Sequence, residues 1–274
     1  MHASAADPGV LLPLGAALVL YVAGCRRLAS RAGRLVQPLA AGCFVAGWGV
    51  LAAALASPLH ALGTELLAAH MVQHELVMVA AAPLLVLGRP IVPWLFALPA
   101  AWRRRLGRWS RGGAVRPAWD AVSRPLVAFA LHAAAILAWH VPAAYQATLQ
   151  SDAAHALQHA SFLATALLFW QALLHPRSRA RHGPAVLYLF ATSLYTGGLG
   201  ALLALSPTPW YPAYGAAGAG RGVTLLEDQQ LAGLIMWMPG AAVYLVAALA
   251  LTAAWLRASG ARVTVPAPLA PARR

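Results

Sequence analysis

The chain contains no lysine. Its 20 basic residues are all arginines, set against seven acidic residues among 274, for a formal net charge of +13. Without lysine there is no phosphate-cradling Gly-rich loop of the kind that ends on that residue. There is no Gly-x-Ser-x-Gly nucleophile elbow either. Charge is scarce altogether: 10% of residues are charged and 61% hydrophobic, a balance that excludes an ordinary water-soluble domain. Two cysteines, Cys25 and Cys43, lie in or beside apolar runs and make no disulfide framework. The arginines fall in short clusters between apolar runs, with no aromatic RNA-binding signature, so the partner they imply is the lipid bilayer and not nucleic acid.

A bilayer core about 30 Å thick takes about 20 apolar residues to cross as a helix. Seven stretches approach or exceed that length: 10–25, 36–56, 64–88, 125–141, 153–174, 184–205 and 229–256. They predict an all-α fold, a polytopic membrane helix bundle of seven transmembrane helices, forming one domain over 1–262. Met1 to Gly9 lack the basic stretch of a cleaved signal, so the first run is expected to be a retained span. The segment 91–102, with Pro93 and Pro99, reads as an interfacial element. Its alternative is an eighth, broken span, which would invert everything after it. The tail 263–274, rich in proline and alanine, is expected to be disordered. Nineteen arginines fall in connections on one side and Arg221 alone on the other, so the N-terminus is expected outside and the C-terminus in the cytoplasm.

Ionisable residues inside spans are costly and usually carry function. His70, His74 and Glu75 are expected roughly 9 to 17 Å below the outer surface by helical rise. His155 and His159 begin the fifth span at the same side, and His140 ends the fourth there. His70 with His74, and His155 with His159, have i,i+4 spacing, which stacks both rings on one helical face. Two such pairs at similar depth make a candidate metal site. Met71, Met78, Met236 and Met238 stand at comparable depth, and imidazole with thioether suits copper better than magnesium or calcium, although imidazole also suits zinc. His60, Glu65, Asp152, Glu227 and Asp228 give the outer ends acidic and imidazole groups.

Each group also has a purely structural reading. A lone histidine such as His132 can bond a backbone carbonyl across helices, and methionines at helical spacing commonly pack. Gly197, Gly198 and Gly200 permit close helix contact or a bend. His70-Met-Val-Gln-His74 has the spacing of a zincin helix, but Met71 stands where that motif needs its general-base glutamate. No catalytic role has positive support.

Taken in order, Ser57-Pro-Leu-His60, His70-Met-Val-Gln-His74, Ala82-Pro-Leu-Leu-Val-Leu-Gly-Arg-Pro90, Trp139-His-Val-Pro142 with Tyr145, His155-Ala-Leu-Gln-His159, Phe169-Trp170 and Asp228-Gln-Gln-Leu-Ala-Gly-Leu-Ile-Met-Trp237 with Pro239-Gly240 form a pattern. The chain thereby resembles the seven-span CtaG cytochrome c oxidase assembly factors of bacteria, over roughly residues 50 to 245. The resemblance implies a multi-pass protein of the bacterial plasma (inner) membrane that acts where copper enters a haem-copper oxidase. Its implied partners are an oxidase subunit or assembly intermediate and a periplasmic copper donor. Glu75 departs from the pattern, since an apolar residue commonly follows the second histidine.

The leading expectation is a non-enzymatic copper-binding assembly factor, a metallochaperone using His70, His74, His155 and His159 with His60, His140 and Met236. Glu75, Met71 and Asp228 are accessory candidates. Two other classes stay open: a haem-binding electron-transfer protein with histidine axial ligands, and a cation or proton transporter with Glu75 and the histidines as relay.

Overall fold

The structure is a computed structural model that describes residues 8–33, 35–174, 182–215 and 222–260. Prolines open several of its helices, at the first turn where a missing N–H costs nothing. The order is α1 Pro8–Ala32, α2 Pro38–Ala56, α3 Pro58–Glu65 and α4 Leu67–Glu75, then a π-helical turn Leu76–Ala81 running straight into α5 Ala82–Gly88. After these come α6 Ile91–Ala97, α7 Ala100–Arg111, α8 Val115–Val122, α9 Pro125–His140, α10 Pro142–Gln150 and α11 Asp152–Leu174. The last two are α12 His182–Leu205 and α13 Leu225–Gly260. No strand occurs among the described residues.

Among the described residues, six helical stretches are long and apolar enough to cross a membrane: Pro8–Arg31, Pro38–Ala56, Leu67–Gly88, Asp152–Leu174, Gly183–Leu205 and Leu225–Arg257. The seventh expected span, α9, has 16 residues and reaches span length only together with α8, across a bend of 73°. The all-α membrane bundle is therefore present, with α9 as its short member. The first and last helices run past their expected limits. The tail 263–274, and Arg34, Arg177, Arg179, Arg181, Arg221 and Arg262, lie outside the described residues.

Glycine allows the closest helix contacts, as is usual where association cannot draw on a hydrophobic drive. A Cβ on Gly200 would stand 2.7 Å from the Gly233 carbonyl oxygen, and one on Gly233 would stand 2.5 Å from the Ala204 amide nitrogen, so α12 and α13 touch backbone to backbone. Gly197 packs beneath Trp237, while Gly198 faces open space. Gly88 meets the Phe44 backbone, joining α5 to α2.

The segment 91–102 comprises α6 and the first residues of α7. A Cβ at Gly24 would overlap the Pro93 carbonyl; Trp94 donates its indole N–H to the Ala17 carbonyl at 2.9 Å, and Arg27 donates to that of Ala97. α6 therefore lies along α1 between Ala17 and Arg27. α7, with Arg103, Arg104, Arg105, Arg108 and Arg111, buries none of its residues.

Candidate metal centre

The third expected span, 64–88, is interrupted. Leu66 is extended (φ −125°, ψ 127°), which separates α3 from α4. The free amides of Leu67 and Ala68 at the start of α4 are taken by the Asp228 carboxylate of α13, at 2.7 and 3.0 Å. A charged acceptor at a helix N-terminus satisfies orphan N–H groups and suits the helix dipole. The continuous membrane helix thus begins at Leu67 and not at Thr64, which brings His70 and Glu75 to about 4.5 and 12 Å below its end. The break also turns α3 back so that His60 faces the other histidines.

Four helices contribute to one cluster of imidazoles: His60 from α3, His70 and His74 from α4, His140 from α9, and His155 and His159 from α11. His60 stacks on His155, with centroids 5.3 Å apart and planes 8° from parallel. His70 meets His74 at 4.3 Å, His155 at 5.1 Å and His159 at 5.7 Å. His74 lies 5.3 Å from His159 and 6.5 Å from His140. Phe162 closes the inner side against His74 at 4.7 Å. Among the described residues, two groups of three bring one ligand atom from each member within 4.8 Å of the others: His60, His155 and His159, and His70, His74 and His159.

Hydrogen bonds fix some of these rings. His140 donates from Nδ1 to the Ile136 carbonyl at 2.7 Å, which leaves the lone pair on Nε2. With its proton on Nε2, His70 donates to Gln158 Oε1 at 3.2 Å and accepts at Nδ1 from the Tyr214 hydroxyl at 3.1 Å. Tyr145 donates to that hydroxyl at 3.2 Å, and Tyr211 donates to the His140 carbonyl at 2.8 Å. Burial above all pushes Tyr145, Tyr214 and Tyr211 up, with the neighbouring phenols adding to it at Tyr145, so all three stay neutral donors. Gln73 donates to the Ala54 carbonyl at 2.7 Å and to His60 Nδ1 at 3.1 Å.

Other nitrogens have no partner. Both ring nitrogens of His74, and Nε2 of His140, His155 and His159, are buried without a hydrogen bond. A buried polar group left unpaired costs about 1–3 kcal/mol, and converging imidazole lone pairs are what a metal ion would satisfy. The donor set is all imidazole, which copper and zinc accept and magnesium and calcium do not.

The remaining expected residues separate. Met71 and Met236 are packed in the apolar core. Asp228 is committed to the α4 amides. Glu75 turns away, its carboxylate against Gly240 of α13 with Oε2 unpartnered. His132 stands apart, donating to the Thr165 hydroxyl at 3.1 Å and stacked on Phe169. Cys25 and Cys43 are free and half-buried. Gln73, Gln158 and the three tyrosines are not among the site residues expected from sequence. The repeated His-x-x-Gln-His in α4 and α11 is the signal that points to the glutamines, since each sits one residue before a cluster histidine.

The family model of the cytochrome c oxidase caa3 assembly factors (CtaG) matches residues 19–258. No curated protein and no solved structure matches the chain.

Proposed function

The chain belongs to the cytochrome c oxidase caa3 assembly factor family, and from that premise we propose that it binds copper in the six-histidine cluster and delivers it during formation of a haem-copper oxidase. The observation that carries this reading is the convergence of five imidazoles in two three-histidine groups, in which ring nitrogens of His74, His155 and His159 are buried without a hydrogen bond. The family is one of assembly factors, so the protein acts on an oxidase or its intermediates and is not itself an enzyme. In this reading the ion is cargo, received from a periplasmic donor and passed within the bacterial plasma membrane to an oxidase subunit.

The packing also bears on the rival classes. The ring centroids stand 4.3 to 6.5 Å apart, with Phe162 against His74, a spacing that supports a small ion between the rings over a porphyrin plane. A proton relay would bring Glu75 towards the histidines, whereas its carboxylate lies against Gly240.

The test is a bacterial strain lacking the gene. Haem-copper oxidase activity is expected to fall while quinol oxidases that contain no copper keep working, and added copper is expected to restore part of the loss. An equal fall in both oxidase types would overturn the copper reading. Metal analysis and the visible spectrum of the purified protein separate copper from haem directly.

A further inference from the structure

The two histidine groups share one member. His159 belongs both to the group with His60 and His155 and to the group with His70 and His74. The groups also differ in burial: His155 is partly exposed, whereas His70 and His74 are each 1% exposed. A neutral imidazole has a single lone pair, so His159 in that form cannot complete both three-coordinate sites at once. The two groups are therefore alternative positions for one ion, the first the more open through the partly exposed His155 and the second enclosed by Phe162, Tyr145 and Tyr214.

We infer that His159 is a pivot on which a single cuprous ion passes from the His60–His155 side to the His70–His74 side, an inference that rests on the copper reading above. The step is a ligand exchange. Bonds to His60 and His155 break as bonds to His70 and His74 form, the bond to His159 persists, and no electron moves. His74 is ready for it, with neither ring nitrogen engaged. His70 must release Gln158, and an acceptor for its displaced proton is in place: on Nδ1 the proton meets the Gly63 carbonyl at 3.3 Å, which frees Nε2. His60 must likewise release Gln73, whose amide donates to its Nδ1, before that nitrogen can hold the ion.

The oxidation state follows from charge. Both groups are neutral imidazoles, and neither includes a carboxylate. Desolvating a divalent ion costs about four times as much as a monovalent one, because the cost grows as the square of the charge. A buried neutral donor set therefore favours the monovalent ion.

The test is anaerobic titration of the full chain in detergent with cuprous ion, in competition with a chromogenic cuprous chelator. The wild type is expected to bind one ion per chain. His159→Ala should weaken binding at least 100-fold, with His159→Asn as a second variant in case the alanine protein unfolds. His74→Ala should still bind one ion but surrender it to the chelator at least tenfold faster, because only the open position remains. His60→Ala should retain affinity and load at least tenfold more slowly. Two ions bound at once, unchanged affinity in both His159 variants, or identical release from wild type and His74→Ala would overturn the shared pivot while leaving the copper reading intact. A folded wild type that takes up no copper would overturn the copper reading itself.

Discussion

The Asp228 carboxylate accepts the Leu67 amide at 2.7 Å across 161 residues of sequence. It thereby fastens α13 to the first turn of the helix that carries His70 and His74. Sequence alone leaves Asp228 open as a metal ligand, and its hydrogen bonds give it a different task. Asp228→Ala removes both acceptors from buried amides and is expected to destabilise the protein by about 1–2 kcal/mol. Asp228→Asn keeps an acceptor oxygen and should lose less. Thermal unfolding in detergent measures both. Copper binding should persist in the asparagine variant, whereas a ligand role would abolish it.

The histidines of the cluster should behave as one unit and His132 should not. His74→Ala combined with His70→Ala should cost less in copper affinity than the sum of the single losses, because members of one coordination sphere serve a single function. His132→Ala breaks only the bond to Thr165 and the stack on Phe169. Copper affinity should stay within about threefold of wild type there, with a drop in unfolding temperature. Equal losses at His132 and His74 would place His132 in the metal path.

Much of this arrangement is legible in the residues themselves. The apolar runs locate the spans, and i,i+4 spacing by itself puts His70 with His74 and His155 with His159 on common faces. The interruption at Leu66 is not legible, because Thr64, Glu65 and Leu66 carry no helix-breaking residue; the acceptor that fixes the new start is Asp228, from the last span. His60 enters the cluster through that interruption. The direction of Glu75 also depends on a distant feature, the space that Gly240 leaves on α13. The π-helical turn after Glu75 also has a partner remote in sequence, since the Trp170 indole donates to the Met78 carbonyl at 2.9 Å. Local spacing reveals which residues share a helix face, and long-range hydrogen bonds decide where that face points.

The α12–α13 contact predicts a sharp intolerance. Gly233→Leu places side-chain carbons where the Ala204 amide and Gly200 carbonyl already stand, and backbone on both sides cannot yield as a flexible side chain would. The protein is expected to accumulate in membranes at less than about a tenth of the wild-type level, read by immunoblot of membrane fractions. Gly198→Leu, at a position facing open space, should accumulate normally. Equal accumulation of the two would mean that the helices are not held at this distance in the membrane.

Charge decides which end of the bundle faces outwards. The histidines gather where α3, α4, α9 and α11 meet, and the arginines of α7 lie beyond the other end of α5, past Arg89 and Pro90. Arg103, Arg104, Arg105, Arg108 and Arg111 belong to a helix with no buried residue, and among the described residues no carboxylate pairs with them. Each arginine carried to the centre of a bilayer costs roughly 2.5–3.5 kcal/mol on insertion scales, and retained positive charge marks the cytoplasmic side. A single cysteine introduced at Ser110, in a background without Cys25 and Cys43, should resist a membrane-impermeant thiol reagent in intact cells. It should react once the membrane is opened. A cysteine at Ser151, beside the start of α11, should react in intact cells. The reverse pattern would turn the bundle over and place the histidine cluster on the cytoplasmic side, so that copper would have to arrive from a cytoplasmic donor.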